Sequence, residues 1–302
     1  MKWIKKGQIF KPEGQFDWVM THSMLPIPER RGDDLYRVYF SGRDKFNRSL
    51  VGYVEFDINN PKKILKISEK PVLGLGELGT FDDNGVTPSW IVNHEGEKYL
   101  YYVGWNKGST VRMAEMAGLA ISVDGGETYQ RVSRAPILER TDKEPLTLLA
   151  ATCVLVEDRI WRMWYVSGTE WVHKDFVRYN IKYAESKDGI KWNRDGRVAI
   201  DFKNKYEHAL ARPCVIKEDG LYKMWYCCRL DNSTYRIGYA ESKDGLSWNR
   251  KDNEAGIDAS ESGWDSEMIA YPNVFNHKGK KYLLYNGNGY GRNGFGYAVL
   301  ED

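Results

Sequence analysis

The stretch IKYAESKDGIKWNR at residues 181–194 is repeated as IGYAESKDGLSWNR at residues 237–250. Eleven of the fourteen positions are identical at an offset of 56 residues, and a fixed period of this kind indicates a repeat architecture. Each copy alternates apolar and polar residues, breaks at Asp-Gly and resumes at Trp, which is typical of a β-hairpin. A looser copy, GLAISVDGGETYQR, occupies residues 118–131. Its Ser-x-Asp-x-Gly form favours a structural turn in which short polar side chains satisfy local backbone groups.

A longer repeat surrounds these hairpins and ends at a tyrosine in each of five units. The units read IPERRGDDLYRVY, WIVNHEGEKYLYY, CVLVEDRIWRMWY, CVIKEDGLYKMWY and NVFNHKGKKYLLY, and they end at Tyr39, Tyr102, Tyr165, Tyr226 and Tyr285. Each unit reads as strand, tight turn and strand, because polar turn residues separate two β-rich runs. A third strand is predicted to follow each unit, beginning at Val51, Ala117, Ile181, Ile237 and Phe295. Five repeats of about 60 residues predict an all-β fold, a five-bladed β-propeller.

The two ends of the chain predict how this propeller closes. The last unit stops at residues 295–302, before the Trp that begins the fourth strand in the third and fourth units. Residues 2–4, Lys-Trp-Ile, can supply that strand from the N-terminus. Because no linker or low-complexity tract interrupts the repeat, we expect residues 1–302 to form a single domain.

Composition excludes several classes of protein. The 44 basic and 42 acidic residues nearly balance, so the sequence has no electrostatic signature for nucleic acid or a membrane surface. The four cysteines lack Cys-x-x-Cys spacing, and no motif indicates a metal or a cofactor. No signal peptide or membrane span is visible, so a cytoplasmic location with reduced thiols is expected. Aromatic residues make up 14% of the chain and suit both pleated sheets and sugar-binding surfaces.

Functional side chains are expected where first strands begin and second strands end, because in a propeller these points open on one face. The candidate catalytic carboxylates there are Glu207, Asp83 and Glu267. Glu207 is the strongest of them, since it enters an inner strand with no turn residue beside it, and Arg212 is its expected partner. Further acids on this face are Asp82, Glu144 and Asp265. The candidate sugar-binding side chains are His22, Arg43, Trp105, Glu170, His208, Arg212, Arg229 and Asn288.

Two further segments, FSGRD at residues 40–44 and GWDSEMIAYP at residues 263–272, together with the YAESKDG repeats, carry a family resemblance. The chain resembles the superfamily of five-bladed propeller glycosidases that contains glycoside hydrolase families 32, 43, 62, 68, 117 and 130. The resemblance implies a propeller fold and a carbohydrate ligand. It also implies an Asp, an Asp and a Glu at three positions, but this chain has Leu25, Trp90 and Ala150 there.

Three functions remain open at this point. The first is a glycoside hydrolase or glycosyl-transferring enzyme that acts on an oligosaccharide through paired carboxylates. In that case Glu207 is expected to be the general acid, or the base or nucleophile if Arg212 lowers its pKa, with Glu267 or Asp83 as the acid. The second is a glycan-binding propeller without catalysis. The third is a sialidase-like hydrolase, in which Arg43, Arg212 and Arg229 hold a sugar carboxylate. The sugar, its linkage, the stereochemical outcome and the oligomeric state are not predicted.

Overall fold

The computed structural model describes residues 1–301, which form β-strands and, apart from the short 3-10 helix Asp252–Glu254, loops. In chain order the strands are β1 (Trp3–Phe10), β2 (Thr21–Arg30), β3 (Leu35–Arg43), β4 (Ser49–Asp57), β5 (Ile64–Ile67), β6 (Val86–His94), β7 (Glu97–Lys107), β8 (Met113–Ser122), β9 (Gln130–Arg131), β10 (Leu148–Glu157), β11 (Ile160–His173), β12 (Phe176–Ser186), β13 (Trp192–Asn193), β14 (Val198–Ile200), β15 (Glu207–Glu218), β16 (Leu221–Leu230), β17 (Arg236–Ser242), β18 (Asn249–Arg250), β19 (Ala270–His277), β20 (Lys280–Asn286) and β21 (Phe295–Leu300). The predicted all-β class is confirmed. In the described part of the chain, no helix is long and apolar enough to span a membrane.

The strands form three sheets that follow the repeat. Strands β2 to β5 form one four-stranded sheet, and β19, β20 and β21 form another together with β1. The strands between them belong to a 13-stranded sheet, in which the parallel pairs β8/β10 and β12/β15 join successive antiparallel groups. Each repeat tyrosine lies in the second strand of its antiparallel group.

The N-terminal strand pairs with the last strand of the chain. Strand β1 runs antiparallel to β21, from Trp3 opposite Leu300 to Phe10 opposite Phe295. The buried indole of Trp3 packs edge-on against Trp225, with 6.1 Å between ring centroids. Both ends of the chain thus contribute backbone hydrogen bonds and apolar surface to one sheet.

A buried group of tyrosine, carboxylate and cation recurs in four of the units. The repeat tyrosine donates its hydroxyl hydrogen bond to a carboxylate, and a cation in the outer strand or next to it binds that same carboxylate. The four groups are Tyr102–Asp82–Arg131, Tyr165–Glu144–Arg194, Tyr226–Asp252–Arg250 and Tyr285–Asp265–Lys5. Asp82, Glu144 and Asp265 therefore stabilise the sheets, and the expectation that they face a ligand is wrong. In the last group the cation comes from β1, which occupies the place of a fourth strand.

Four of the five innermost strands share a backbone distortion at a residue that lines the cavity. Strands β2, β10, β15 and β19 each contain a register shift in which a residue with a positive φ lines the cavity. These residues are Leu25, Ala151, Arg212 and Tyr271, with φ of 53, 47, 51 and 58°. Positive φ is strained for side chains other than glycine, and it persists only where the surrounding structure enforces it. All four residues line the same cavity.

The Asp-Gly turns of the shorter repeat have a local structural role. In the turn after β12, Asp188 accepts hydrogen bonds from the backbone N–H groups of Ile190 and Lys191, both at 2.8 Å. Its other partner is the hydroxyl of Ser186, at 2.9 Å. Asp124 and Asp244 make the corresponding backbone bonds in their own turns. These bonds satisfy the backbone N–H groups of the turns and occupy the carboxylates of the three Asp residues.

Candidate active site

A cavity of about 210 Å³ lies where the inner strands of all five units converge. Its wall carries four arginines and one carboxylate, which are Arg43, Arg112, Arg212, Arg229 and Glu115. None of these arginines lies within 4 Å of a carboxylate in residues 1–301, whereas the structural arginines of the sheets do. The cavity is therefore strongly basic and its positive charges are uncompensated.

Glu115 is the cavity's carboxylate, and strand pairing explains its position. It lies near the start of β8, directly opposite Trp105 of β7, so both side chains project to the same side of the sheet. Burial raises the pKa of Glu115 to about 7, while nearby Arg112 acts in the opposite direction. A carboxyl group with this pKa is partly protonated at neutral pH and can donate a proton.

Arg212 is a fully buried guanidinium with unsatisfied hydrogen-bonding capacity. Its only hydrogen bond within residues 1–301 runs from Nη1 to the carbonyl oxygen of Pro213 at 3.4 Å, while Nε and Nη2 have no partner. The guanidinium lies 5.6 Å from the ring centroid of Trp90, which packs against three of the core clusters. Trp90 thus occupies a position implied by the resemblance to hold a catalytic Asp, and it supports a cation instead.

The neighbours of Arg212 cannot neutralise its charge. Burial raises the pKa of Cys214 to about 11 and that of Cys227 to about 12, so both thiols stay protonated at neutral pH. Burial also lowers the pKa of Arg212 itself. An unpaired buried charge is costly, and binding an anion relieves that cost. The geometry thus provides an anion site on the cavity wall.

Tyrosines form another part of the wall. Tyr179 and Tyr235 share a hydrogen bond between their hydroxyl groups, and Tyr290 accepts one from Arg229 at 3.1 Å. Tyr271 adds a fourth ring at the positive-φ position of β19. Aromatic faces with polar tips suit a sugar, which presents C–H groups and hydroxyls together.

Glu207, predicted to be catalytic, lies in a different environment from the one expected. Both carboxylate oxygens of Glu207 accept hydrogen bonds from Arg250, at 2.7 and 2.8 Å, and one also accepts the backbone N–H of Lys203 at 2.7 Å. The predicted pairing with Arg212 is wrong, because Glu207 is paired instead with Arg250 on the outer strand. Glu207 does not line the cavity.

The other two predicted carboxylates also lie outside the cavity. Asp83 accepts hydrogen bonds from the side chain of Asn106 at 2.7 Å and from the backbone N–H of Gly79 at 2.9 Å, so it organises its own loop. Glu267 is exposed. The structure therefore does not bring the three predicted carboxylates together around one ligand.

Four of the eight predicted sugar-binding side chains line the cavity, namely Arg43, Trp105, Arg212 and Arg229. His22 neighbours Arg43 but does not line the cavity. Glu170 is exposed on β11, and His208 faces Asp231 at 3.1 Å. The side-chain oxygen of Asn288 accepts the backbone N–H groups of Glu267 and Met268, so it joins its loop to the segment before β19.

Sequence reasoning missed Glu115 and the tyrosines, although the repeat contains the signal. Glu115, Tyr179 and Tyr235 each lie two positions before the predicted start of the third strand in their units. The start of a third strand opens on the same face as the end of the second strand, and in these three units the position lines the cavity. Aligning the units at this position would have identified all three residues.

The pKa of Glu115 predicts a measurable dependence of stability on pH. Its value of about 7 in the folded protein exceeds the unfolded value of about 4.5, so the folded state loses stability as pH rises through this range. Relative to Glu115→Gln, the wild-type free energy of unfolding should fall by about 1–3 kcal/mol between pH 5 and pH 8. Denaturant unfolding at both pH values measures this difference. Glu170→Gln, at an exposed position, is the matched control. If the difference in unfolding free energy between wild type and Glu115→Gln is the same at both pH values, the assignment of a raised pKa to Glu115 is wrong.

Comparison with known proteins agrees with a carbohydrate site. The model of glycoside hydrolase family 130, described as beta-1,4-mannooligosaccharide phosphorylase, matches residues 132–294, more than half of the chain. The chain belongs to glycoside hydrolase family 130. An uncharacterized protein of Mycobacterium tuberculosis is 43% identical over 303 residues, covering 100% of both chains. A 1,2-beta-oligomannan phosphorylase of Thermoanaerobacter is 28% identical over 139 residues, or 44% of each chain.

Solved structures share the fold of this family 130 chain. A glycoside hydrolase superposes with a TM-score of 0.76 at 18% identity, covering 99% of this chain and 92% of the other. A structure from work on family 130 mannoside phosphorylases and on hydrolases of beta-1,2 mannosidic linkages in Candida mannan gives 0.73 at 16% identity, with 99% and 93% covered. These similarities identify a β-propeller glycosidase fold. In the described part of the chain, no group of His, Cys, Asp and Glu side chains is arranged to hold a metal ion.

Proposed function

We propose that this family 130 protein transfers a glycosyl group to and from phosphate, cleaving a glycoside by phosphorolysis or forming one in reverse. The observation that carries the proposal is a cavity with one proton-donating carboxyl, Glu115, and a buried arginine without a partner, Arg212. A hydrolase of the usual kind needs two carboxylates across the scissile bond, and the residues described here contribute one to this cavity. Phosphate removes the need for the second, because it is itself the nucleophile.

The reaction assigns one role to each group. An oxygen of phosphate forms a bond to the anomeric carbon while the glycosidic C–O bond breaks. The carboxyl of Glu115 gives its proton to the departing oxygen, so the products are a glycosyl phosphate and a shortened saccharide. Arg212 holds the phosphate, since a guanidinium can donate two parallel hydrogen bonds to its oxygens. The positive-φ backbone holds this guanidinium in one orientation before phosphate binds, so the side chain does not have to rearrange on binding.

The sugar is proposed to be a mannoside. This part of the proposal is supported by the family description, mannooligosaccharide phosphorylase, and by the partial relative described as an oligomannan phosphorylase. Trp105 and the tyrosine wall offer apolar faces for the ring. The linkage is the variable to be tested, because the two descriptions name β-1,4 and β-1,2 bonds.

Incubation with β-1,2- and β-1,4-linked mannooligosaccharides, with and without inorganic phosphate, tests the proposal. We expect glycosyl phosphate to form only when phosphate is present, as detected by mass spectrometry. Release of free sugar at the same rate without phosphate would indicate hydrolysis, and binding without turnover across the panel would indicate a glycan-binding protein. Either result would contradict the proposal.

Arg212→Met should weaken the binding of inorganic phosphate at least about tenfold, the loss of about 1.4 kcal/mol of binding free energy. The methionine fills much of the same volume and removes an unpaired buried charge, so the fold should persist. Isothermal titration measures the affinity, and Arg212→Lys is the matched control because it keeps the charge. Unchanged phosphate affinity in Arg212→Met would refute the role of this arginine.

We further propose that residues 1–302 form a single five-bladed propeller in which β1 completes the last blade. The pairing of β1 with β21 and the placement of Lys5 in the recurring tyrosine–carboxylate–cation group support this arrangement. The four free cysteines, three of them buried, support the proposal that the protein works in a reducing cytoplasm.

A further inference from the structure

We infer that the mouth of the cavity contains a second anion site, formed by Arg43, His22 and Arg292, and that the saccharide bound here carries a carboxylate or phosphate ester. This inference rests on the proposed function only in taking the ligand to be a saccharide. The anionic group is part of the sugar substrate and is additional to the phosphate held by Arg212.

Backbone pairing brings the three side chains together. Thr21 of β2 lies opposite Arg43 of β3, which places the next residue, His22, beside that arginine. The backbone N–H of Ser23 donates to the carbonyl oxygen of Gly291 at 2.9 Å, so the loop that carries Arg292 lies against the same segment. The three groups therefore come from the first and last units, which are adjacent here.

Arg43 has unused hydrogen-bonding capacity. Its Nη1 donates to the side-chain oxygen of Asn47 at 3.0 Å, and its Nη2 lies 3.8 Å from the sulfur of Met24. Its Nε is buried and has no partner in the described residues. Asparagine oxygen and thioether sulfur are neutral acceptors, so neither balances the charge of the guanidinium.

The nearest acid in sequence is already engaged elsewhere. The carboxylate of Asp44 binds Arg48 at 2.8 Å and accepts the backbone N–H groups of Phe46 and Arg48, both at 2.9 Å. Arg292 is exposed and forms no ion pair within residues 1–301. The cluster thus presents two cations that the protein itself does not neutralise.

His22 adds a neutral polar group to this cluster. Burial, Arg43 and Arg292 together lower the pKa of His22 to about 4, so its imidazole is uncharged at neutral pH. Its Nδ1 lies 2.9 Å from the hydroxyl oxygen of Thr21, which leaves Nε2 for a ligand. His22 also has a φ of 60°, a strained conformation that holds the ring in this position.

The charges of the cavity indicate that this site and the phosphate site bind different anionic groups. A phosphate dianion held by Arg212 leaves the remaining cavity arginines without a counter-charge, because Glu115 is partly protonated at neutral pH. Arg212 lies inside the cavity and fully buried, whereas Arg292 is exposed and does not line it. Because one arginine is buried in the cavity wall and the other is exposed outside it, we assign them to separate anionic groups, and the occupant proposed for the mouth is a substituent on the sugar.

The test compares matched sugars at constant ionic strength. Mannose, glucose and galactose are each titrated as the neutral sugar, the uronic acid and the 6-phosphate, in the presence of saturating inorganic phosphate. For at least one sugar, we expect an anionic form to bind at least about tenfold tighter than the neutral form. The uronic acid and the 6-phosphate distinguish a carboxylate from a phosphate ester. Equal affinities within every set would overturn the inference.

Arg43→Gln combined with Arg292→Gln should reduce that preference to within about threefold, while the affinity for inorganic phosphate changes little. Arg159→Gln is the matched control, since it removes an exposed arginine from the β10–β11 turn, at the opposite ends of the inner strands. If the double variant does not fold, Arg292→Gln alone should still halve the preference or more. A preference that survives both variants, or a loss confined to phosphate affinity, would overturn the inference. If wild type keeps the preference but forms no glycosyl phosphate, the proposed function fails and this inference stands.

Discussion

Glu115→Gln is expected to lower the turnover number at least about a hundredfold while inorganic phosphate still binds. The substitution keeps the size of the side chain and most of its hydrogen bonding but removes the transferable proton. Because Glu115 is the cavity's carboxyl in residues 1–301, no neighbouring acid is placed to take over its role. Steady-state kinetics with and without phosphate, together with phosphate titration, measure the two effects separately.

Glu207→Gln is the matched control for this prediction. It makes the same chemical change in a carboxylate that binds Arg250 away from the cavity. Breaking that buried pair should lower the free energy of unfolding, since the arginine is left without its partner. Turnover per folded molecule should nevertheless stay within tenfold of wild type. The reverse pattern, with Glu207→Gln inactive and Glu115→Gln active, would show that the catalytic assignment is wrong.

Deletion of residues 1–10 is expected to abolish cooperative folding. The deletion removes β1 and leaves the backbone of β21 unpaired along one edge, together with the cavity left by Trp3. Loss of a buried tryptophan alone costs about 3–5 kcal/mol, against a total stability of about 5–15 kcal/mol for a typical domain. Circular dichroism and thermal unfolding provide the measurement.

Deletion of residues 1–2 is the control for the truncation. It removes one backbone hydrogen bond, from the N–H of Glu301 to the carbonyl oxygen of Lys2, and an exposed ion pair between the same residues, and surface pairs of this kind contribute about 0–1 kcal/mol. We expect this shorter deletion to melt within a few degrees of the full-length protein. A chain lacking residues 1–10 that also melts within a few degrees would refute the closing role of β1.

The sequence was sufficient to predict the strands because their signals are local. Each unit alternates aromatic and aliphatic residues before its tyrosine, and a tight turn separates the two strands of the unit. The pairing of the N-terminal strand with the last unit could also be anticipated, since that unit lacks the tryptophan that the third and fourth units carry. These predictions need the order of residues and no knowledge of distances.

The site was harder to predict because the role of each charged side chain depends on which oppositely charged group lies next to it in the folded structure. Glu207 has no neighbour in sequence that explains it, yet Arg250 binds it across the sheet. Spacing along the chain predicts that Arg212 pairs with Glu207, but the distorted backbone of β15 turns Arg212 toward the cavity instead. Distances in the folded structure determine which charged groups pair, and spacing along the chain does not give those distances.

The shared backbone distortion of the inner strands has an evolutionary consequence. Leu25, Ala151, Arg212 and Tyr271 occupy one conformation but present a branched alkyl group, a methyl group, a guanidinium and a phenol. The backbone determines where each side chain points, and the residue type determines only what it presents. A single codon change at one of these positions can therefore alter the chemistry of the cavity without rebuilding a loop. The scaffold separates its geometry from its specificity, so related proteins can diverge in ligand while keeping the same fold.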